Sequence, residues 1–206
     1  MPYDVVDKFE KEIAEYCGAK YGIAVSSCTN ALFLSLLWIK HTFYADKEPD
    51  VPINIPHKTY IGVAHSIINA GWDIVFEEIK WKGSYQLYPY EIVDNALRFK
   101  KGMYVSGDLT CLSFHNRKHI PIGRGGMILT DDEQAMKWLK LARFDGRETC
   151  PLIEQKEFTV PGWNMYMTPE QAARGLVLFN NIKDKDLPDM DDYDSYPDLS
   201  KLEIFK

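Results

Sequence analysis

The stretch Tyr21-Gly-Ile-Ala-Val-Ser-Ser-Cys-Thr-Asn-Ala-Leu32 decides how the rest of the chain is read. Tyr21 to Ser26 is a short apolar run of strand length. Ser27-Cys-Thr-Asn30 is a polar turn, and an apolar helix is expected from about Ala31 to Ile39. A strand that enters a helix through such a turn is a repeating step of α/β folds.

The same alternation extends in both directions. Upstream, Val5, Val6, Phe9, Ile13 and Tyr16 recur at helical spacing, with Gly18 as a stop. Downstream, Pro52-Ile-Asn-Ile55 reads as a strand and Ile61 to Ala70 as a helix closed by Gly71. Asp73-Ile-Val-Phe76 and Glu91-Ile-Val-Asp94 read as further strands, followed by Met103 to Phe114 and Gly126-Met-Ile-Leu-Thr130. Asp132 opens a helix to about Ala142. This order predicts a three-layer α/β/α sandwich with a mainly parallel sheet. Thr168-Pro169-Glu170-Gln171 combines an N-cap, a first-turn proline and a capping-box glutamine, so a last helix should run to about Ile182. Asp184 to Asp198 holds seven aspartates and two prolines. Such a segment is a poor core sequence, expected to be loosely ordered or draped over a surface. The chain therefore divides into residues 1–182 and an acidic tail, 183–206.

Composition narrows the function. With 206 residues, 46% apolar, there is material for one core. A net charge of −6 argues against nucleic-acid binding, which needs clustered Lys and Arg. The longest apolar stretch, Ala31 to Ile39, is too short to span a bilayer, so no membrane partner is expected. No signal peptide is visible, and Cys17, Cys28, Cys111 and Cys150 form neither a CxxC pair nor a disulfide framework. A cytoplasmic location is the default. His41, His57 and His65 share no ligand spacing, and no metal site is expected.

In open α/β sheets ligands collect beyond the carboxyl ends of the strands. The informative polar residues fall there: Ser26 to Thr29, His57 to Tyr60, Asp94, and Ser113 to Lys118. Lys118 follows a strand-like segment and precedes a glycine-rich turn. A partly buried lysine at such a place can lose its proton and form a Schiff base with an aldehyde cofactor. Most lysines are solvated surface charges, so the weight lies in the company this one keeps.

Four segments stand in order: Tyr21 to Leu32; Val93-Asp-Asn-Ala96; Ser113 to Lys118 with Gly125-Gly126 and Thr130-Asp131; and Gly162-Trp-Asn-Met-Tyr-Met-Thr-Pro-Glu-Gln-Ala-Ala173. Together they resemble the DegT/DnrJ/EryC1/StrS family, sugar aminotransferases of fold type I that use pyridoxal 5'-phosphate. The resemblance covers most of residues 1–182. It implies that Lys118 forms the internal aldimine and shuttles the proton, and that Asp94 pairs with the pyridine nitrogen. It implies that Tyr60 stacks on the ring, and that Ser113, Thr29 and the backbone at Cys28 and Thr29 hold the phosphate. An anion at a helix N-terminus is favoured by free N–H groups and the dipole. Cys28 stands where the family usually has a small residue, often glycine, and reads as a substitute rather than a nucleophile. Asn164 matches an asparagine that reaches across a dimer interface to the neighbouring subunit's phosphate. A homodimer with shared sites follows.

Three departures qualify this. Leu97 stands where many relatives carry Gln or His near the cofactor's 3-hydroxyl. The chain between Phe76 and Asp94 is shorter than in relatives, which predicts one strand fewer and a rebuilt sheet edge or pocket wall. The smaller C-terminal domain that encloses substrate in relatives is expected to be largely absent, leaving a more open site. Two readings stay open. The first is amino-group transfer to a keto-sugar, nucleotide-linked, from a donor such as glutamate. The second is a catalytically inactive cofactor-binding or partner protein that keeps the fold. A dehydratase branch of the family carries histidine at the Lys118 position, and Lys118 argues against it.

Overall fold

Ser27 fixes where the deciding stretch turns from strand to helix. In a computed structural model describing residues 2–45 and 47–206, its side chain accepts the Asn30 amide at 3.1 Å. Strand β1 (Tyr21–Val25) is followed by helix α2 (Cys28–Ile39), which begins ahead of the expected Ala31 because Ser27 caps it. The other elements are α1 (Asp4–Cys17), β2 (Ile53–Pro56), α3 (Ile61–Asn69), β3 (Ile74–Glu77), β4 (Tyr85–Gln86), β5 (Ile92–Asp94), β6 (Leu109–Ser113), β7 (Gly126–Thr130), α4 (Glu133–Ala142) and α5 (Pro169–Asn180). Local signals account for several ends. Gly18 closes α1 in the left-handed region, Asp132 caps α4, and Thr168 with Gln171 makes a reciprocal capping box on α5. Helix α5 stops at Asn180, short of Ile182.

The strands form a five-stranded sheet in the order β1-β7-β6-β5-β4 and a parallel pair, β2-β3. β5 and β6 pair parallel, whereas β7 lies antiparallel to both β1 and β6, and β4 antiparallel to β5. Asn54 on β2 bridges Tyr88, just past β4, in antiparallel sense. Strands β1, β2, β3, β5 and β6 therefore share one direction, and β4 and β7 oppose it. Side chains alternate across the sheet with period two. Ile23, Val25, Cys111 and Ile128 pack into one core with α2, α3 and α4. Ala24, Leu112, Met127 and Leu129 pack into a second core with α1 and α5. The result is three layers.

A buried ion pair closes the open edge of β1. Glu10 Oε1 accepts the Ala24 amide at 2.8 Å, and Arg143 Nη1 donates to the Ala24 carbonyl at 2.6 Å and to Glu10. Both side chains are almost fully buried. Lys140 Nζ lies 3.0 Å from Glu10 Oε2, so α1, β1 and α4 meet on one charge network.

The acidic segment packs against the domain, the draped form of the two expected. Asp189 takes Arg98 through Nε and Nη2, at 3.2 and 2.9 Å, and Lys100 at 3.1 Å. The Met190 amide donates to the Leu97 carbonyl and the Leu199 amide to the His57 carbonyl, at 2.9 and 2.8 Å. Tyr193 and Leu199 are buried. Composition concealed these anchors because they are single residues within a run of aspartates. No helix among the described residues is long and apolar enough to cross a membrane.

Candidate active site

A cavity of about 450 Å³ opens where the N-termini of α2 and α3 meet the ends of β5 and β6. Six residues singled out from sequence line it: Cys28, Thr29, Tyr60, Asp94, Ser113 and Lys118. Asn164 does not. It is exposed, and its Nδ2 donates to Asp145 Oδ2 at 3.2 Å.

Asp94 is the most constrained of the set. Oδ1 accepts the Ala96 amide at 2.8 Å and lies 3.9 Å from the Cys28 thiol; Oδ2 accepts the Tyr85 hydroxyl at 3.1 Å. Since Tyr85 gives its proton to Asp94, Thr59 donates to Tyr85, 2.6 Å away. Burial pushes the Asp94 carboxyl up from its ordinary value, and Ala96, Tyr85, the Lys118 charge and Cys28 pull it back. Burial and the Asp94 charge hold the Cys28 thiol well above the usual thiol value, so it is a neutral donor and no nucleophile.

Tyr85 was not found from sequence. It faces Asp94 directly in the β4–β5 pairing. The available signal was Tyr88-Pro89-Tyr90, a turn between two short apolar runs that sets this register. The short connection after Phe76 thus supplies β4 at the sheet edge and Trp81 in the cavity wall. Leu97, fully buried, lines the same space. The tail adds Asp192, Ser195 and Tyr196, so a segment read as surface closes one side of a site expected to be open.

Two glycines let the Ser27–Thr29 turn form. A Cβ on Gly126 would lie 2.5 Å from the Ser27 carbonyl carbon and 2.6 Å from the Cys28 nitrogen, both backbone. A Cβ on Gly62 would lie 2.6 Å from Tyr60 Cε1 and 3.0 Å from Thr29 Oγ1, so the Tyr60 ring and Thr29 hydroxyl converge over it. Beyond β6, Gly123 and Gly125 take φ of 115° and 145° as the Ser113–Lys118 loop returns into β7. Lys118 is half-buried, its amide bonded to the His115 carbonyl at 2.9 Å. Arg117 and Arg124 flank it, and Arg124 Nε donates to the Ser26 carbonyl at 3.2 Å. Three cationic side chains and a helix N-terminus in one lining thus favour an anion in the cavity.

Gly126→Ala tests the turn. It is expected to cost about 1–3 kcal/mol of stability through overpacking and to weaken binding of inorganic phosphate. Chemical denaturation and phosphate titration measure the two effects.

A family model described as the DegT/DnrJ/EryC1/StrS aminotransferase family matches residues 1–98 and 100–186. Among curated proteins, the spore coat polysaccharide biosynthesis protein SpsC of Bacillus subtilis is 28% identical over 87% of this chain and 57% of its own length. GDP-perosamine synthase of Caulobacter vibrioides is 26% identical over 85% and 56%. Among solved structures, a GDP-4-keto-6-deoxymannose-3-dehydratase with a trapped PLP-glutamate geminal diamine superposes with a TM-score of 0.69 at 18% identity. The match covers 87% of this chain and 61% of that one. The chain spans a little over half the length of these curated relatives.

Proposed function

We propose a function from one premise: the chain belongs to the DegT/DnrJ/EryC1/StrS aminotransferase family. It binds pyridoxal 5'-phosphate and transfers an amino group from an amino acid such as glutamate to a keto-sugar, nucleotide-linked. The observation that carries this reading is Asp94, a buried carboxylate held by Ala96, Tyr85 and Cys28 on the wall of the cavity that Lys118 enters. A solvent-facing structural aspartate needs no such shell. The GDP-perosamine synthase relative supports the sugar, and the PLP-glutamate adduct in the dehydratase structure supports the cofactor and donor.

The residues present fit the cofactor. Asp94 would hold the pyridine nitrogen, Tyr60 the ring face, and the Cys28 and Thr29 amides with the Thr29 and Ser113 hydroxyls the phosphate. When bound, the cofactor supplies a carbonyl for amine exchange and a sink for the electrons of a deprotonated carbon. Lys118 provides the anchoring amine and carries the proton to and from the substrate carbon. Asp94 keeps the ring nitrogen's proton in place by charge, and Tyr85 and Thr59 fix the carboxylate plane. Asn164, exposed and outside its own cavity, serves a neighbouring subunit in a homodimer, which the mass in solution checks. The four free cysteines support a cytoplasmic location.

Borohydride reduction of the cofactor-saturated protein, followed by peptide mapping, should leave a pyridoxyl adduct on Lys118. Amine exchange from glutamate is then followed across a panel of nucleotide-linked keto-sugars. Absence of the adduct overturns cofactor binding through Lys118; an adduct without exchange favours the inactive, cofactor-binding partner protein.

Asp94→Asn separates stability from function. Because burial raises the folded value, the folded state holds this proton more tightly than the unfolded chain does. Its ionisation therefore costs stability as pH rises above the unfolded value, and the cost is complete once pH exceeds the folded one. Asparagine carries no such charge, and Tyr85 and Thr59 can reverse their donation to accept its amide. Without cofactor the variant should melt at the same temperature or higher at neutral pH, the gain shrinking as pH falls toward about 4. Its cofactor affinity should fall about tenfold to a hundredfold, the worth of a hydrogen bond to a charged group. A melting series with pH and a cofactor titration measure both.

A further inference from the structure

The cavity lining carries two kinds of chemistry. Lys118, Arg117 and Arg124 supply cations beside the α2 N-terminus. The same lining includes Asp192, Ser195 and Tyr196 of the strap, residues 188–199, and Trp81. The Tyr196 ring stacks with Trp81 at 6.0 Å and 19°, and Trp81 packs edge-on to Tyr85 at 4.7 Å. An aromatic face beside a carboxylate and hydroxyls suits a ring that presents C–H groups on one face and hydroxyls at its rim. The same carboxylate repels a phosphate.

This wall is built rather than incidental. Arg98 and Lys100 clamp Asp189, and Arg98 holds its carboxyl below the usual range. The Gly83 amide donates to the Met190 carbonyl at 3.2 Å, and a Cβ on Gly83 would meet Asp189 Cγ at 2.8 Å, so strap and hairpin interlock. Lys58 Nζ lies 3.7 Å from Asp194 and 5.3 Å from the Tyr193 ring centre. Trp81 Nε1 donates to the Lys58 carbonyl at 2.9 Å, which ties the aromatic platform to the same loop. Burial, Asp192, Asp94 and Tyr60 push the Tyr196 hydroxyl up to about 12 against the pull of Arg117, so it stays a donor at neutral pH.

We propose that the strap selects the ligand: Asp192, Ser195 and Tyr196 recognise a neutral, hydroxyl-rich sugar unit, while Lys118, Arg117 and Arg124 take the anionic groups. This rests on the aminotransferase reading for the presence of a sugar substrate and adds the residues that choose it. Asp192 accepts from ring hydroxyls, Tyr196 donates to one, and Trp81 backs the Tyr196 ring.

The test is calorimetric titration of the intact protein, with and without pyridoxal 5'-phosphate, using GDP-mannose, UDP-glucose and the corresponding nucleoside diphosphates. At least one nucleotide sugar should bind about tenfold more tightly than its own diphosphate, a difference a few new hydrogen bonds can supply. Asp192→Asn and Tyr196→Phe should each reduce that ratio about fivefold or more, leaving diphosphate and cofactor affinities within about twofold. The proposal is overturned if no nucleotide sugar outbinds its diphosphate. It is equally overturned if both variants, with unchanged melting temperatures, keep the parent ratio. Failure to take up cofactor counts against the aminotransferase reading alone, because the sugar preference is read without cofactor too.

Discussion

Lys118→Met, saturated with pyridoxal 5'-phosphate, is expected to yield no pyridoxyl adduct on borohydride reduction and to lose amino transfer by about 10³-fold or more. Methionine keeps most of the volume and removes the amine. The other cations of the cavity lining, Arg117 and Arg124, carry guanidinium groups rather than a primary amine and replace neither role. Cofactor affinity should fall less than activity, since Asp94, Tyr60 and the α2 N-terminus remain. Peptide mapping of the reduced protein and single-turnover transfer from glutamate measure the two losses. An adduct elsewhere in the Lys118→Met chain would remove Lys118 from the role.

The largest effect on folding is expected from Arg143→Ala. It strands the Ala24 carbonyl and leaves the buried Glu10 carboxylate with only the Ala24 amide and Lys140, and breaking a buried pair costs about 3–5 kcal/mol. Glu10→Ala should cost a similar amount because it strands the Arg143 guanidinium and the Ala24 amide. Removing both, as Glu10→Leu with Arg143→Met, should recover only part of the loss. Two backbone groups of Ala24 would still lack partners inside the protein. Urea unfolding of the three variants gives the comparison. Full recovery by the double variant would show that the edge of β1 needs no capping.

Elements marked by their own residues were legible in the sequence. Asp132 and Thr168 cap helices through side chains two or three positions from the amides they bind, and such signals are local; the Ser27 cap, inside a run of four polar or small residues, was read as turn. The strand-end residues Thr29, Tyr60, Asp94, Ser113 and Lys118 converge because consecutive parallel elements deliver their ends to one side of a sheet. What was not legible depends on distance. Glu10 and Arg143 meet across 133 residues, and neither neighbourhood announces the other. Tyr85 reaches Asp94 only through the register of a two-residue strand. The strap was hidden by averaging: five aspartates dominate its composition, while Asp189, Tyr193 and Leu199 decide where it lies.

Gly126 and Gly62 both lie against the Ser27–Thr29 turn, one meeting backbone and the other a ring and a hydroxyl. Single amino-acid changes at these two positions are therefore unequal under selection. A side chain at 62 can be absorbed if Tyr60 swings away, at the expense of the ring platform and with the fold intact. A side chain at 126 has nothing flexible to displace, so it must be matched by a change in the turn itself. Lineages descending from this sequence should lose the aromatic platform by drift far more readily than they move the turn.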